Sequence, residues 1–270
     1  MSLDLGLRER VVLITGSERG TGRGCARVLA REGATVLVHG FALEKAERVA
    51  RELRSEGHGA FGISGDIRTD AGAAEAVAAA NAQCGRVDVL VNNYGVAEGG
   101  GWLEGKTEDW IDIYHKNVLS GVRLTQAFLP GMRERGFGRV IFVSTVGASR
   151  PQKNLPHYYA SKAALVNMTV SLAQEVAGSG ITVNTVSPGI IATDEVKERF
   201  LEMGRRKGWG ETWEEIEREV ASSGFMKASA GIVGTPEDVG HLIAFLASDR
   251  ARYIHGANLR IDGGAADSVQ

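Results

Sequence analysis

Two side chains four residues apart could carry acid–base chemistry in this 270-residue chain. Tyr158 and Lys162 occupy positions i and i+4 of a segment with a helical pattern, so both lie on one face of the predicted helix. A phenol with a pKa of about 10 is a weak acid–base group at neutral pH, and a nearby ammonium favours the phenolate. The pair therefore predicts a tyrosine that gives a proton to a carbonyl oxygen or takes one from an alcohol. Tyr159 has Ala163 at i+4 and is the weaker candidate.

A glycine-rich turn, residues 15–22 (TGSERGTG), lies between the first predicted strand and the first predicted helix. Glycines there let the backbone approach a pyrophosphate, whose charge the helix N-terminus stabilises. The spacing is GxxxGxG, and no Walker-type lysine follows. The turn predicts a dinucleotide site, and its candidate cofactor residues are Gly16, Ser17, Glu18, Arg19, Gly20, Thr21 and Gly22.

The end of the second predicted strand, residues 38–41 (VHGF), bears on the choice of cofactor. An acidic residue at this place would bind the ribose 2′-hydroxyl and repel a 2′-phosphate, and the segment has none. Arg19 can pair with a phosphate in the same region. The sequence therefore favours NADP(H) over NAD(H), with Gly40 and Phe41 at this subsite.

The elements that position these residues alternate between apolar strands and helices. The predicted strands are Arg10–Thr15, Thr35–His39, Ala60–Ser64, Val87–Asn92, Arg139–Ser144, Ile181–Val186 and Ala257–Ile261. The predicted helices are Gly16–Glu32, Ala42–Ser55, Asp70–Cys84, Thr107–Arg133, Pro156–Ala177 and one that begins at Thr235-Pro236. Continuous apolar strands between helices are typical of a parallel sheet covered on both faces. We expect one α/β domain over residues 1–270, a doubly wound Rossmann-type parallel sheet of about seven strands flanked by helices.

Composition argues against several classes of partner. The formal net charge is −2, with 31 basic and 33 acidic residues intermixed, which gives no reason to expect nucleic acid or an anionic membrane. No apolar run approaches the roughly 18 residues of a membrane span, and no signal peptide is evident. Cys25 and Cys84 lack CxxC spacing and fit reduced thiols in the cytoplasm. The histidines and carboxylates show no metal-ligand spacing, so no catalytic metal is expected.

Several motifs in a fixed order give the chain a resemblance to a known family. They are TGxxxGxG at 15–22, Asp66, Asn92-Asn93-Tyr94-Gly95, Asn117, YxxxK at 158–162, Pro188-Gly189 and the closing IDGG at 261–264. In this order the chain resembles the short-chain dehydrogenase/reductase family over nearly its whole length, and in particular its 3-oxoacyl-acyl-carrier-protein reductase branch. The resemblance implies an NADP(H)-dependent oxidoreductase that interconverts a ketone or oxoacyl carbonyl and a secondary alcohol, with Tyr158 as general acid/base.

The resemblance also implies roles for single residues. Gly16, Arg19 and Gly22 would hold the pyrophosphate side. Asp66 and Ile67 would contact adenine, and Asn93 with Gly95 would line the adenosine–ribose path. Asn117 would keep a helix kink and a water near Lys162, whose ammonium would reach the ribose hydroxyls. The carboxamide of the nicotinamide would be positioned by Pro188, Gly189, Ile191 and Thr193. A homotetramer, or a homodimer, is implied through the fifth helix and the closing strand.

Two positions depart from the family pattern. A serine usually lies thirteen residues before the catalytic tyrosine and helps to polarise the carbonyl. That position is Thr145 here, and Ser144 precedes it. Thr145 is favoured because its hydroxyl can donate the same hydrogen bond, with Ser144 as the alternative. The second departure is Tyr94, whose ring either narrows the cofactor path or points outward.

Residues 190–230 lack a strand and are expected to cover the substrate. Trp209, Trp213, Ile216 and Val220 form one helical stripe, which is either an apolar lid over a small-molecule substrate or ordinary packing. The alternative functions are an NAD-dependent alcohol, sugar or steroid dehydrogenase of the same family and a non-catalytic dinucleotide sensor. Such sensors typically lose the acid–base residues that are present here.

Overall fold

Seven parallel strands form the centre of the molecule in the computed structural model, which describes residues 4–98, 100–222 and 227–267. The strands are β1 (Val11–Ile14), β2 (Thr35–Gly40), β3 (Ala60–Ser64), β4 (Val89–Asn92), β5 (Gly138–Val143), β6 (Ile181–Pro188) and β7 (Asn258–Ile261). Their order is β3-β2-β1-β4-β5-β6-β7, and every neighbouring pair is parallel. The winding direction reverses between β1 and β4, so the predicted doubly wound fold is confirmed.

Helices cover both faces of the sheet. They are α1 (Gly20–Arg31), α2 (Leu43–Ser55), α3 (Asp70–Cys84), α4 (Thr107–Tyr114), α5 (Ser120–Glu134), α6 (Pro156–Glu175), α7 (Asp194–Lys207), α8 (Trp213–Ser222) and α9 (Pro236–Ala247). Side chains alternate along β1, so Val12 and Ile14 pack in one core with α1, α2 and α9. Val11 and Leu13 pack in the other core with α3, α5 and α6. Burial on both faces explains why the strands are continuously apolar.

Two predicted helices have different bounds in the structure. The first begins at Gly20 rather than Gly16, because Gly16 adopts a left-handed turn with φ of +61°. The segment predicted as one helix over Thr107–Arg133 is interrupted by a π-helical turn at His115–Leu119. An extra residue in a helical turn rotates the side chains that follow, and such turns are frequent at functional sites.

The segment after β6 carries two helices, α7 and α8, that the sequence pattern left unassigned. Ile216 and Val220 of the apolar stripe are buried in a small core of their own, and Trp209 and Trp213 pack against that core. Of the two interpretations of this stripe, ordinary packing within the lobe is what the structure shows. The residues of the lobe helices that line the cavity belong to α7.

Three negative findings concern the described ranges alone. No helix in them is long and apolar enough to cross a membrane. No group of three or more His, Cys, Asp or Glu side chains in them could hold a metal ion. Cys25 and Cys84 are both free thiols, and Cys25 is buried.

Candidate active site

The glycine loop lies at the carboxyl end of β1, where the winding of the sheet reverses. Asn93, just after β4, holds the loop by donating from Nδ2 to the carbonyl of Thr15 at 2.9 Å. Gly16 and Gly20 have φ of +61° and +54°, which side-chain-bearing residues rarely adopt. The first residue before α1, Arg19, makes no side-chain cap. The N–H groups that open α1 therefore lie available for an anion at the loop.

A buried histidine supports this loop from below. His39 of β2 accepts a hydrogen bond at Nδ1 from the N–H of Gly16 at 3.2 Å, and its Nε2 lies 3.0 Å from the carbonyl of Gly65. Burial lowers the pKa of His39 to about 4, so the ring is neutral at pH 7 and Nε2–H is the donor. Sequence reasoning noted only that His39 is not acidic, because its two contacts come from segments distant in the chain.

One cavity of about 610 Å³ runs from the glycine loop to Tyr158. Most predicted site residues line it, namely Gly16, Glu18, Arg19, Gly20, Thr21, Gly22, Phe41, Asn93, Tyr94, Gly95, Ser144, Thr145, Tyr158, Lys162, Pro188, Gly189, Ile191 and Thr193. Most of them lie at or just after the carboxyl ends of β1, β2, β4, β5 and β6, whereas Tyr158 and Lys162 lie on α6. The topology thus brings together residues that are up to 177 positions apart, from Gly16 to Thr193.

Five predicted residues lie outside the cavity lining. Ser17 is fully buried, where its hydroxyl donates to the Ile14 carbonyl at 2.7 Å and accepts from the His39 N–H. Ile67 is in the core, and Asp66 is paired with Arg68 through both carboxylate oxygens at 2.8 Å. Ser17 and Asp66 thus have hydrogen-bond partners within the protein, and the predicted contact of Asp66 with adenine stays a prediction.

The other two predicted residues outside the cavity lining are Gly40 and Asn117. Gly40 lies beneath Glu18 at the end of β2. Asn117 lies in the π-helical turn, where Oδ1 accepts from the Val96 N–H at 2.8 Å and Nδ2 donates to the Val96 carbonyl at 3.0 Å. Nδ2 also donates to the Ser161 hydroxyl, so Asn117 ties α6 to the segment after β4. The kink predicted at Asn117 is present, and it fixes Val96 at the cavity wall.

Tyr158 lies inside the cavity close to its floor. Burial raises the pKa of Tyr158 to about 12, against the smaller opposing effect of a hydrogen bond with the Thr145 side chain. The side chain is a neutral phenol at physiological pH, which is the form that can give a proton to a carbonyl oxygen.

The two hydroxyls that follow β5 have different partners. Ser144 is buried and donates from Oγ to the backbone carbonyl of Lys162 at 2.8 Å. Thr145 accepts from the N–H of Gly147 at 3.2 Å, and its side chain is hydrogen bonded with Tyr158. The geometry therefore favours Thr145 as the hydroxyl beside the reacting groups and gives Ser144 a structural contact.

Lys162 is buried one helical turn after Tyr158. Its Nζ donates to the Val143 carbonyl at 2.9 Å, and burial lowers its pKa to about 8. Gly95 lies directly above it, where a Cβ would approach Nζ to 2.6 Å and Asn117 Oδ1 to 3.1 Å. A side chain at position 95 would therefore collide with the ammonium of Lys162, which lines the cavity.

The far end of the cavity carries aromatic rings. Phe41 and Tyr94 meet edge to face, with ring centroids 4.8 Å apart, and the guanidinium of Arg68 lies 4.9 Å from the Phe41 ring. Of the two readings of Tyr94, the structure shows its ring in the cavity lining rather than outward. Flat apolar and cationic surfaces of this kind suit a planar heterocycle.

Several lining residues were not predicted from the sequence. Gln152 lies in the loop before α6, and Val196, Arg199 and Phe200 come from α7. Glu195 of α7 also lines the cavity and pairs with Arg19 at 2.6 Å. No spacing rule identifies such positions, because they depend on how the lobe folds back over the sheet.

Comparison with known proteins places the chain among oxidoreductases. Residues 16–266 match a family described as enoyl-(acyl carrier protein) reductase. The chain is 38% identical over 263 residues to the oxidoreductase UcpA of Salmonella typhimurium, covering 96% of this chain and 95% of that protein. It is 34% identical over 261 residues to the 3-oxoacyl-acyl-carrier-protein reductase FabG of Vibrio cholerae, covering 96% and 98%. Its fold matches L-sorbose reductase from Gluconobacter frateurii, complexed with NADPH and L-sorbose, with a TM-score of 0.91, 30% identity and coverage of 99% and 100%.

Proposed function

The chain belongs to the short-chain dehydrogenase/reductase family, and we propose that it interconverts a ketone and a secondary alcohol with a nicotinamide dinucleotide as hydride carrier. The observation that carries the proposal is the placement of Tyr158. Its buried phenol, with Thr145 at its hydroxyl, shares one cavity with the glycine loop. A proton donor and a dinucleotide-type turn in one cavity are what carbonyl reduction requires.

The residues of the cavity fit a dinucleotide. The uncapped start of α1 is suited to a pyrophosphate, and Gly22 is packed so closely that a Cβ would approach Asn93 Nδ2 to 2.6 Å. Phe41 and Tyr94 offer flat surfaces at one end, and Ile191 and Thr193 line the other. A bound nicotinamide supplies the hydride. Lys162 is placed beneath Gly95 to donate to ribose hydroxyls.

The protein's own contribution is proton transfer and charge stabilisation. Tyr158 donates its phenolic proton to the substrate oxygen as negative charge develops there, and it takes the proton back in the oxidation direction. Thr145 donates its hydroxyl proton in a hydrogen bond to the same oxygen, while its Oγ1 accepts from the N–H of Gly147 at 3.2 Å. The raised pKa of Tyr158 keeps its proton in place until a carbonyl is bound.

We propose a ketone or oxoacyl carbonyl as the substrate, covered by the lobe of residues 190–230. Three residues separate Tyr158 from Lys162, which favours C=O over C=C chemistry, although the matched family carries an enoyl reductase description. A polyhydroxylated ketone is a second candidate. Gln152 and Arg199 favour it, because they add polar and cationic groups to the cavity wall beside Tyr158.

The cofactor preference rests on opposing observations. The sequence favours NADP(H), and the similar L-sorbose reductase was crystallised with NADPH. In this structure, however, a carboxylate does lie at the end of β2, because Glu18 reaches there from the glycine loop. We also propose a cytoplasmic location, supported by the free thiols Cys25 and Cys84.

Turnover of a substrate panel tests the proposed function. Purified protein is assayed with NADH and NADPH against ketoses, 3-oxoacyl thioesters and ketosteroids, and the Tyr158→Phe variant is assayed on the best substrate. Loss of the proton donor should lower kcat by about 10²- to 10⁴-fold. Dinucleotide affinity should change little, because the ring remains in place.

Tyr159→Phe is the matched control, since Tyr159 lies beside Tyr158 and also lines the cavity. We expect it to lower kcat much less than Tyr158→Phe. Full activity of Tyr158→Phe would exclude this tyrosine as the proton donor. Tight dinucleotide binding without turnover of any carbonyl or alcohol would favour the non-catalytic sensor instead.

A further inference from the structure

The side chain of Glu18 occupies the space above Gly40 at the end of β2. A Cβ built on Gly40 would collide with Glu18 Oε2 and would lie 3.0 Å from its Cδ and 3.3 Å from its Cβ. In dinucleotide sites, the acidic residue that contacts the ribose normally grows from the end of this strand. Here the strand ends in a residue without a side chain, and a carboxylate from the glycine loop fills the vacant position.

One oxygen of this carboxylate lacks a partner within the described part of the chain. Oε2 of Glu18 is buried and accepts no hydrogen bond there, and the carboxylate makes no ion pair with any described residue. A buried unpaired carboxylate oxygen is costly, and most such groups in proteins have a donor. Because Glu18 also lines the cofactor cavity, a bound molecule can supply that donor.

The positive groups near Glu18 are directed elsewhere. Arg19 donates from Nη1 to Glu195 Oε1 at 2.6 Å, so its guanidinium reaches across to α7. Arg68 is held by both oxygens of Asp66, with its Cζ 4.9 Å from the Phe41 ring. His39, next to Gly40, is neutral at pH 7. The local balance of charge at the end of β2 is therefore negative.

We propose that Glu18 selects the cofactor by accepting a hydrogen bond from an adenosine ribose hydroxyl of NAD(H) and by repelling the 2′-phosphate of NADP(H). The inference rests on the proposed function, because it takes the cavity to be a dinucleotide site. It reverses the preference drawn from the sequence, which looked for a carboxylate only in residues 38–41 and took Arg19 as able to pair with a phosphate. The hydroxyl in question is the 2′-hydroxyl, which NADP(H) cannot donate because that oxygen carries the phosphate, and the negative charge of Glu18 repels this phosphate.

Direct binding measurements test this proposal. The dissociation constants of NADH and NADPH are measured by calorimetry for the full chain, for Glu18→Gln and for Glu18→Ser. The unmodified protein should bind NADH at least about tenfold more tightly than NADPH, since like charges in contact are strongly unfavourable. Both variants should bind NADPH at least about tenfold more tightly than the unmodified protein does. Glu18→Ser should also bind NADH more weakly than the unmodified protein does.

Glu32→Gln is the matched control, because it removes the same charge at the opposite end of α1. It should leave the ratio of the two constants unchanged. Equal or tighter binding of NADPH by the unmodified protein would overturn the proposal, as would an unchanged ratio in Glu18→Gln. If the protein bound neither dinucleotide, the proposed function would fail, because the cavity would not be a dinucleotide site. If the protein preferred NADPH and still turned over a carbonyl substrate, only the proposed role of Glu18 would fail.

Discussion

Ser144 and Thr145 carry adjacent hydroxyls just after β5, and their positions give one a structural contact and the other a place beside Tyr158. Ser144 and Thr145 follow one another, so their side chains point to opposite sides of the extended backbone. Ser144 turns towards α6 and bonds to the Lys162 carbonyl, whereas Thr145 faces the cavity and Tyr158. Counting from Tyr158 favoured Thr145 in the sequence, and the hydrogen bonds give that preference a physical reason.

We expect Thr145→Ala to lower kcat by about 10²-fold, because one hydrogen-bond donor to the developing negative charge is lost. Thr145→Ser should retain most of the activity, since the hydroxyl remains. Ser144→Ala should cost about 1 kcal/mol of unfolding free energy and change kcat only slightly, because the lost bond is internal. Steady-state kinetics and urea unfolding measure these effects, and a larger kcat loss in Ser144→Ala than in Thr145→Ala would exchange the two roles.

Single residues also mark the limit of sequence reasoning. The glycine loop and the Tyr158/Lys162 pair are local patterns, so their place in the cavity could be predicted. The position of Glu18 over Gly40 could not, since it depends on the direction of one side chain between segments 22 residues apart. Likewise, no local pattern predicts the hydrogen bond from Lys162 Nζ to the Val143 carbonyl.

At the scale of elements, β2 contributes more than a place in the sheet. Near its end lies His39, whose hydrogen bonds with Gly16 and Gly65 join the glycine loop to the segment after β3. A neutral ring can accept from one and donate to the other, whereas a protonated ring has no acceptor for the Gly16 N–H. The support of the loop is therefore sensitive to acid.

The pKa of His39 gives the direction of this effect. It lies near 4 in the folded protein and near 6.5 in the unfolded chain, so the unfolded chain binds more protons between these values. Stability attributable to His39 is complete above about pH 6.5 and falls by roughly 3 kcal/mol as the pH drops towards 4.

We predict that His39→Asn, which keeps an acceptor but cannot be protonated, lacks this loss. At pH 7 the variant should be about 1–2 kcal/mol less stable, because the contact with Gly65 is lost. The difference between the two proteins should shrink as the pH falls to 4.5 in chemical denaturation. The exposed His241→Asn serves as control. A difference that stays constant from pH 7 to 4.5 would show that His39 does not titrate in this way.

Element boundaries were predictable where local signals mark them. The helix start at Thr235-Pro236 is confirmed, with a capping box in which Asp238 accepts from the Thr235 N–H at 2.7 Å. The π-helical turn at Asn117 follows from no local pattern, because tertiary hydrogen bonds to Val96 stabilise it. The helical stripe from Trp209 to Val220 anticipates α8, whereas no local pattern gave bounds for α7.

For the whole molecule, the alternation of apolar strands and helices was sufficient to predict the sheet. Its strand order follows from right-handed crossovers and from the reversal that places the cavity between β1 and β4. What the pattern leaves open is the outer surface, where β7 forms one edge of the sheet with all four residues half-buried. An accessible edge strand is a surface that proteins normally cover.

An exposed apolar stripe on α6 and the accessible edge at β7 are consistent with assembly into a homotetramer. On α6, Val170 is 48% exposed and follows the half-buried Val166 by one turn, so a small apolar stripe faces outward. Near the β7 edge, Tyr253 is 99% exposed. Two separate contact surfaces on one chain generate a tetramer of dihedral symmetry, whereas one surface generates a dimer.

We therefore predict that the unmodified protein has four times the monomer mass in solution and that Val170→Glu reduces it to a dimer. The added carboxylates would face each other across a two-fold contact between α6 helices, where burial of unpaired charge is unfavourable. Light scattering coupled to size exclusion measures both masses. Leu43→Glu, at an equally accessible apolar residue with 53% exposure, should leave the mass unchanged. A monomeric unmodified protein, or a Val170→Glu variant of unaltered mass, would show that the α6 stripe is not a subunit contact.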